Sequence, residues 1–495
     1  MNQRRTGRFG QRAIAMGETP RCGRFGLLAA GTMAIALAGC QAPPDAASTS
    51  ERAIAEAVGL GEPVTFRAVG PEGGPVDEPG GSGATLTLSE AVRRAVTTDP
   101  GLQAAMARIR IAVADSDQAR LLPNPVLNVV LRWGPGEPQI EASLAQDFVQ
   151  ALQIPRRAGA ADNRLRQVAA DAVTAALDVT SEVQERYTAV QASAALVPLL
   201  QERLSLIERL VATAKSRLDA GEGTRADVAT LNAQRVELLV EIDGVRLTER
   251  EERLRLARLI GEPSAAATWT LDAWTSPSIG DQPEASWVDA GLQHRPEVQA
   301  IAWRLKALGD DEALVSLLPW EGASVGVDAT RDDDWAVGPS VSTPIPVFDM
   351  GQARRARVTA EQIEARHDLT LARRKIVEEV RVAFQTLAAS KSNLSRIQNE
   401  LIPLQQQRRQ LAEDAYRAGQ TDVTPLFLAE QDLRVAQAQS IEVERQAASA
   451  LVRLQRAVGG PGVAASMAHS PTPPIPPPAA TDAARQPVSS AHRNP

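Results

Sequence analysis

The sequence has few cysteines and histidines, and each shortage excludes a class of protein. The two cysteines, Cys22 and Cys40, both lie in the first forty residues, so the body of the chain has no disulfide framework and no cysteine-ligated metal. The four histidines are scattered without the spacing of metal ligands. No Ser/His/Asp set, phosphate-binding loop or cluster of metal ligands indicates catalysis. We therefore expect a protein that is not an enzyme and has no cofactor or metal site.

Aromatic residues are also rare. They make up 3% of the 495 residues, although 44% of the chain is hydrophobic. The hydrophobic share is mostly Ala, Val and Leu, which favours helices packed closely through small side chains. The 53 basic and 60 acidic residues give a formal net charge of −7. This balance argues against nucleic acid as a partner, because phosphate binding needs a basic surface.

The first 39 residues have the pattern of an export signal. An arginine-rich stretch precedes an apolar run from Phe25 to Ala38, which is too short to remain as a membrane-spanning helix. The run ends in Leu-Ala-Gly-Cys40, which resembles the lipobox of bacterial lipoproteins. That resemblance implies that residues 1–39 are removed and that Cys40 carries the lipid. Gln41, which follows it, implies sorting to the outer membrane.

Two segments outside the body have biased composition and no periodicity. Residues 40–85 are rich in Pro, Gly, Ala and Ser, and we predict a tether there. Residues 461–495 include a run of prolines and predict a disordered tail with polyproline character.

The body of the chain contains one unit twice. Its landmark pairs are Pro123 and Pro319, Glu182 and Glu379, and Gly221 and Gly419, with offsets of 196, 197 and 198 residues. The nearly constant offset predicts a duplicated domain with halves at 86–262 and 285–460, and it is too long for a solenoid repeat. Residues 263–284, with Trp and Pro, form the linker, which we expect to lie across the helices at their equator.

Each half predicts the same order of elements: a helix, two short strands, a very long helix, a glycine turn and a second long helix. In the first half, Ala176, Val183 and Val190 belong to a seven-residue repeat that runs from Ala169 to Leu218. Such a repeat keeps one apolar seam against a partner helix and imposes a left-handed supercoil. Periodicity alone would also fit a generic coiled-coil scaffold.

The predicted strands alternate between apolar and polar residues. Apolar residues such as Leu127, Val129 and Leu131 alternate with polar ones, and Trp133 and Trp335 lie at the turns. This pattern fits an outer-membrane barrel with a wet interior, although a single soluble hairpin has the same alternation. The polar residues predicted to line the lumen are Asn128, Arg132, Glu141, Ser143, Asp147, Ser324, Asp328, Ser340 and Ser342.

Four strands cannot close a barrel. Unpaired strand edges are not viable in lipid, and small barrels need about eight strands or more. The chain must therefore oligomerise, and three copies would supply twelve strands together with three sets of four long helices.

At this point the chain resembles the TolC-like outer-membrane efflux family over roughly 86–460. The residues that carry the resemblance are 86–91 with Asp99-Pro100, Leu122-Pro123-Asn124-Pro125, the passage 344–351, and the turns 218–228 and 416–422. The resemblance implies a mainly α protein with membrane β-strands. Its duplicated helical hairpins would form a periplasmic α-barrel tunnel, and its four strands would belong to a trimeric 12-stranded β-barrel.

The resemblance also implies partners and a gate. The chain would self-associate as a homotrimer, be anchored in outer-membrane lipid, and meet an inner-membrane pump through a periplasmic adaptor. The tip residues that would contact the adaptor are Ala220, Gly221, Glu222, Gly223, Thr224, Ala418, Gly419, Gln420 and Thr421. Arg225, Asp227 and Asp422 would put charge at the aperture. Family members with an acidic constriction in the second repeat have carboxylates where this chain has Pro425 and Leu428.

The sequence leaves four functions open, the last of them a periplasmic adaptor, although an adaptor has a single helical hairpin flanked by β-rich domains whereas the hairpin is duplicated here. The first is the exit duct of a tripartite efflux system for small molecules or metal cations. The second is the outer-membrane duct of type I protein secretion, because specificity resides largely in the pump. The third is a periplasmic coiled-coil lipoprotein that forms no channel.

Overall fold

The computed structural model describes residues 46–70, 72–77, 85–134, 138–272, 282–331, 334–418, 420–421 and 424–469. The export signal, Cys40, Gly419 and Asp422 therefore lie outside the described residues. Within the described part, the chain is mainly helical, with one small sheet of four strands and one pair of very short strands.

The elements of the first repeat follow the predicted order. They are β1 (Thr85–Leu86), α2 (Leu88–Thr98), α3 (Pro100–Arg120), β2 (Val126–Arg132), β3 (Gln139–Asp147), α4 (Phe148–Asp219) and α5 (Arg225–Leu259), preceded by α1 (Ala46–Val58). Helix α4 has 72 residues and is roughly 108 Å long at 1.5 Å per residue.

The second repeat has the same order. It comprises β4 (Thr270–Leu271), α6 (Glu284–His294), α7 (Pro296–Val315), β5 (Ser324–Arg331), β6 (Trp335–Ser342), α8 (Gln352–Arg396), a π-helical turn (Ile397–Leu401), α9 (Ile402–Arg417) and α10 (Thr424–Ala457), followed by α11 (Pro461–His469). The structure therefore contains two similar units in tandem, as the sequence offset predicts.

The apolar seam of α4 lies where the seven-residue repeat places it. Ala176, Val183 and Val190 are fully buried. Asp147 begins the helix, because its Oδ1 accepts a hydrogen bond of 2.9 Å from the backbone N–H of Gln150. The helix continues through Pro155 and Pro198, so neither proline ends it.

The long helices form a single layer. Helix α4 packs against α3 and α7 in the half nearest the strands, and against α5 and α10 in the half nearest the turn. Helix α8 packs against α7 and α10. The two repeats are therefore interleaved: α7 and α10, from the second repeat, both lie on α4 of the first.

The sheet has the order β2-β3-β5-β6, and all its pairs are antiparallel. Strands β2 and β6 are each paired on one side only among the described residues, so the sheet is open. Strand β6 ends at Ser342 rather than continuing through Val347, because Pro344 and Pro346 have no N–H to donate to a ladder.

The predicted tether is wrong for part of its length. Residues 46–58 form α1, whose Ile54, Ala55 and Val58 are buried in the core that surrounds α2, α3 and α4. The predicted tail likewise begins too early, since Pro461–His469 form α11. Composition alone misses both helices, because their apolar residues acquire a partner only in the folded chain.

Two short strands join the linker to the first repeat. Thr85–Leu86 and Thr270–Leu271 pair in parallel. The buried hydroxyl of Tyr187 lies beside them: it donates to the carbonyl of Leu86 at 2.9 Å and accepts from the N–H of Asp272 at 3.1 Å. We call this level of the molecule, with α1, α2, α6 and α11, the equatorial belt.

The π-helical turn has no counterpart in the first repeat. The offset between the repeats changes from 197 at Glu182 and Glu379 to 198 at Gly221 and Gly419, so the second repeat has one extra residue between these landmarks. A single π turn inside an α-helix accommodates one extra residue. Residues Ile397–Leu401 lie in that interval.

The length and polarity of the helices were compared with those of membrane-spanning helices. Among the described residues, every helix is too short or too polar to span a bilayer.

Candidate functional site: the open sheet and the helical tip

The strand register places every predicted lumen residue on one face of the sheet. Asn128 is opposite Ser143, and Ser143 is opposite Asp328. Ser324 is paired with Asp147 on one side and with Ser342 on the other. Since side chains alternate between the two faces of a strand, Arg132, Glu141 and Ser340 share this face as well.

The polar face is held by its own contacts. The guanidinium of Arg132 bonds the carboxylate of Glu141 on the neighbouring strand. The hydroxyl of Ser340 donates to Oδ1 of Asp328 at 3.0 Å. Asp147 also has a second role, because its Oδ2 accepts from the N–H of Gly322 at 3.2 Å while its Oδ1 caps α4.

The opposite face of the sheet is apolar and exposed. Its exposed residues include Leu127, Val129, Leu131, Leu144, Val325, Val327, Val337 and Val341. Val337 and Val341 are 69% and 71% exposed. Trp133 and Trp335 lie at the ends of β2 and β6 where the hairpins turn, as predicted, and both are exposed. A soluble protein buries a continuous apolar surface of this kind.

The first tip turn, Ala220–Thr224, closes the long hairpin. Gly221 has φ +79°, as the predicted helix end requires, and the N–H of Glu222 donates to the carbonyl of Arg217 at 2.8 Å. Thr224 then begins α5 by a reciprocal cap with Asp227. The hydrogen bonds from Thr224 lower the pKa of the Asp227 carboxyl below its usual value.

The second tip turn ends its helix in the same way. The N–H of Gln420 donates to the carbonyl of Ala415 at 2.9 Å, which repeats the contact between Glu222 and Arg217. Gly419 and Asp422 lie outside the described residues. Of the predicted aperture charges, the structure therefore describes Arg225 and Asp227, which lie in the first helical turn of α5.

The edges of the helix layer carry an apolar stripe that the sequence analysis does not assign. On α5, Val240, Leu247 and Leu254 are exposed and seven residues apart. On α9, Leu404 and Leu411 are exposed with the same spacing. A seven-residue stripe on an outer helix is the pattern of a coiled-coil seam that needs a partner. The spacing was visible in the sequence, but only the structure shows that these helices are the outermost ones.

Comparison with known proteins agrees with this geometry. Residues 287–460, which contain the second half of the structure, match the family model described as outer membrane efflux protein. This segment is therefore an outer membrane efflux protein domain. The fold neighbours of the chain among solved structures include the outer-membrane channel OprN.

Two curated relatives extend the match beyond the second repeat. The outer membrane efflux protein BepC of Brucella suis is 22% identical over 53% of this chain and 59% of its own length. The cobalt-zinc-cadmium resistance protein CzcC of Cupriavidus metallidurans is 22% identical over 76% of this chain and 90% of its own length. The chain thus spans less than two thirds of the Brucella relative and most of the Cupriavidus one.

The fold likeness covers both repeats. The outer membrane protein VceC from Vibrio cholerae has a TM-score of 0.61 at 18% identity, over 75% of this chain and 96% of that one. The described chain therefore has the same fold as this outer membrane protein. A single copy contains the open sheet but no closed barrel.

A charged groove lies beside the equatorial belt, where α10 ends and α7 begins. Its volume is about 1210 Å³. Arg456 of α10 bonds Glu297 of α7 and Asp178 of α4, both at 2.7 Å. Burial tends to raise the pKa of Glu297, but Arg456 and Arg295 outweigh it and hold that pKa below its usual value. These ion pairs join the two repeats, and no sequence pattern predicts them.

Metal ligands are not grouped in the described part of the chain. No three His, Cys, Asp or Glu side chains there are placed to hold one ion.

Proposed function

We propose that the chain is the exit duct of a tripartite efflux system in the outer membrane. The observation that carries this proposal is the open four-stranded sheet, with one polar face and one exposed apolar face, attached to a layer of helices roughly 100 Å long. Lipid would cover the apolar face, and the polar face would line a water-filled lumen.

The duct is formed by three copies. Free edges on β2 and β6 need strand partners in lipid, and three sheets of four strands make a twelve-stranded barrel. The exposed stripes on α5 and α9 support the same assembly, because the outer helix of one copy would pack against the opposite outer helix of the next. The polar residues from Asn128 to Ser342 then face a common channel.

The gate and the adaptor contact lie at the tip turns. The described residues of the two turns, Ala220 to Thr224 and Ala418 with Gln420 and Thr421, lie at the end of the layer farthest from the sheet, and all but Gly223 are exposed. Arg225 and Asp227 would surround the aperture, and Asp422 would add its charge from the second turn. Substrate enters here from a pump through the adaptor and diffuses out, so the energy comes from the pump.

The substrate is a small molecule or a metal cation. The resistance named for the Cupriavidus relative concerns divalent metals, and the polar face contributes three carboxylates, Glu141, Asp147 and Asp328, against one arginine, Arg132. A lumen with that balance would favour cations. A lipid on Cys40 would tether the amino terminus to the same membrane.

Reconstitution into planar bilayers tests the duct. We expect the purified protein to run as a trimer and to conduct ions without a pump. Val129 and Asn128 are neighbours on β2 but lie on opposite faces, so they form a matched pair. Val129→Lys should prevent stable insertion, since a lysine facing lipid costs roughly 2–4 kcal/mol at the midplane. Asn128→Lys should insert normally and shift ion selectivity towards anions.

Three results would decide against the proposal. A monomer without conductance would favour the coiled-coil lipoprotein. Equal insertion of the Val129→Lys and Asn128→Lys proteins would show that the sheet is not in lipid. Export of an unfolded polypeptide with a cognate pump, without resistance to small toxic compounds, would favour type I secretion.

A further inference from the structure

The passage from β6 to α8 is an exposed apolar segment with a fixed shape. Ile345, Val347 and Phe348 are 81%, 69% and 93% exposed. The N–H of Val347 bonds the carbonyl of Ile345 at 2.8 Å, and Oδ1 of Asp349 accepts from the N–H of Gly351 at 2.8 Å. Hydrogen bonds within the segment therefore fix its backbone, while the side chains of Ile345, Val347 and Phe348 are exposed to solvent.

A small cavity lies beneath this segment. It measures about 320 Å³, and its walls include Leu318, Pro319, Ile345 and Phe348. Gly351 closes one side, because its φ of +76° brings the backbone near the ring of Pro319, where a Cβ would lie 3.5 Å from Cγ. Arg354 is at the rim. The cavity thus combines apolar walls with one ion pair, Arg354 and Asp349, since both residues line it.

The cavity lies one membrane thickness from the turn of the hairpin. Ile345 follows Trp335 by ten residues, which is roughly 33 Å along an extended chain. A tilt of about 40° reduces this to roughly 25 Å, the height of the apolar band of a membrane barrel. Trp335 and Phe348 would therefore lie at opposite interfaces, and the cavity would lie at the periplasmic one.

The charge around the cavity is positive. Arg354, Arg355 and Arg357 are exposed at the start of α8. Arg354 lies 3.4 Å from Asp349, and Arg357 bonds Glu361 at 2.8 Å. Arg355 has no carboxylate partner among the described residues. Three arginines against two carboxylates leave a net charge of +1 beside the apolar cavity.

The first repeat has the same sequence of features at the same level. Phe148 and Leu152 are exposed at the start of α4, and Arg156 and Arg157 follow one turn later. There, however, Arg156 pairs with Asp310, and Arg157 donates to the carbonyl of Leu121. The arginines of the first repeat are used within the chain, whereas Arg355 of the second is available to a ligand.

We propose that the cavity at Ile345–Arg355 is a binding site for a phospholipid of the periplasmic leaflet. The acyl-glycerol end lies against Leu318, Pro319 and Phe348, and the phosphate meets Arg354 and Arg355. This inference rests on the proposed membrane location, and it adds a specific site to it. Apolar walls formed by Leu318, Pro319 and Phe348 favour a lipid over a soluble phosphate compound.

Native mass spectrometry of the detergent-solubilised full chain tests the site, with phosphatidylglycerol as the probe. We expect Arg354→Gln with Arg355→Gln to weaken binding about thirtyfold, since each arginine beside an anionic headgroup contributes roughly fivefold. Arg373→Gln with Arg374→Gln is the matched control. These two arginines are adjacent and exposed on the same helix, about 29 Å farther from the membrane, and binding should stay unchanged.

Further experiments distinguish a bound phospholipid from other occupants of the cavity, and distinguish failure of the lipid site from failure of the channel. Inorganic phosphate at millimolar concentration should not compete; full competition would show a site for a free anion and overturn the proposal. Subunit-to-subunit crosslinking through Phe348→Cys would show that a second copy covers the cavity, and would overturn it too. Equal phosphatidylglycerol binding by both double variants, in trimers that still conduct, would reject the lipid site while leaving the channel intact. Loss of trimers and conductance in the unmodified chain would instead reject the proposed function.

Discussion

The two repeats differ most where their strands lead into the long helices. In the first, α4 begins at the residue after β3, and Asp147 serves both as the end of the strand and as the helix cap. In the second, nine residues separate Ser342 from Gln352, and a glycine with positive φ precedes the helix. The strand therefore leads directly into the helix in the first repeat, whereas the connection in the second repeat includes an exposed loop and a cavity.

The long helices also differ along their length. Helix α4 is continuous over 72 residues, whereas its counterpart is divided by the π-helical turn at Ile397–Leu401. Both keep an apolar seam against α10 or α5. The two repeats therefore share the apolar seam but differ in helix geometry. An extra residue is tolerated where a π-helical turn keeps the following residues on the seam.

The largest difference between the repeats should appear when one residue is removed from each. Deleting Glu202 from α4 rotates the rest of the helix by about 100° and takes Ile207 and Val211 off their seam. We expect a loss of more than about 5 kcal/mol, since each displaced core residue costs roughly 2–5 kcal/mol. Deleting Asn399 should convert the π turn to α-helix and cost about 1 kcal/mol or less.

Both deletion proteins can be compared by limited trypsin digestion of the tip and by thermal unfolding. Equal sensitivity would mean that the π turn does not absorb the extra residue. Glu202 and Asn399 are both exposed, so neither deletion removes a buried side chain itself.

A smaller effect should follow from separating the two repeats at the equator. Arg456→Gln leaves Asp178 without this cation and Glu297 with Arg295 alone, 3.6 Å away, and we expect a loss of about 2 kcal/mol, because a partly buried carboxylate then keeps only its weaker ion pair. The control is Arg453→Gln, whose ion pair with Glu185 is more exposed and should contribute less than about 1 kcal/mol.

The same pair predicts a pH dependence. The folded state lowers the pKa of Glu297, so its contribution is present above pH about 4.5 and is lost as the pH falls through the folded-state value. The Arg456→Gln protein should therefore lose less stability in acid than the unmodified protein. Because this window lies below pH 4.5, melting temperatures of the two proteins that fall in parallel from pH 7 to about pH 2 would contradict this expectation.

Replacing Tyr187 would make the first repeat resemble the second, where Phe384 is the matching residue. Tyr187→Phe leaves the carbonyl of Leu86 and the N–H of Asp272 without this partner, and we expect a cost of about 1–2 kcal/mol. Burial raises the pKa of the Tyr187 phenol. The unmodified protein should lose stability above pH 10, as the unfolded chain ionises first, and Tyr187→Phe should remove part of that loss.

Chemical denaturation followed by circular dichroism between pH 8 and pH 11 measures both effects. A conservative change at Phe384, to Leu, serves as the control without a hydroxyl. If Tyr187→Phe proved as stable as the unmodified chain, the short strand pair β1–β4 would be unimportant for the equatorial belt.

The smallest expected effect concerns the tips. Thr224→Ala removes the hydrogen bonds that lower the pKa of Asp227, so that pKa should return towards its usual value. NMR titration of the Asp227 carboxyl measures the change. A helix start that depends on this cap weakens as the pH falls through the Asp227 pKa, and an unchanged titration would show that the cap is not formed in solution.

Sequence reasoning succeeds where structure is periodic. Val183 lies on the seam because of its seven-residue spacing, and Asn128 and Ser143 share a face because strand side chains alternate. Both predictions follow from local geometry. Each pattern also occurs in both repeats, so the second repeat supports what is predicted from the first. The fold order and the polar face of the candidate site were therefore predictable.

Features that depend on distant partners were not predictable. Helix α1 has a short apolar stripe within an Ala-rich stretch, and it is stabilised by packing against α3, α4 and α11. The ion pairs of Arg456 join residues more than a hundred positions apart. The π turn left only a change of one residue in the repeat offset. Closure of the proposed barrel and aperture would depend on other copies, and a single chain indicates them only by the unpaired edges of β2 and β6 among the described residues.

The contact between the two ends of the chain bears on how the protein forms. Gly460 lies so close to α1 that a side chain there would meet the carbonyl of Ala57, and Gly462 lies equally close to Glu56. Synthesis produces α1 first, about 400 residues before its partner α11. By then the apolar side of α1 can already pack against α2, α3 and α4, whereas its backbone at Glu56 and Ala57 stays uncovered until α11 is made. Completion of the belt is thus a late step, and a protomer truncated before Pro461 would lack this cover on α1 even with every strand and long helix present.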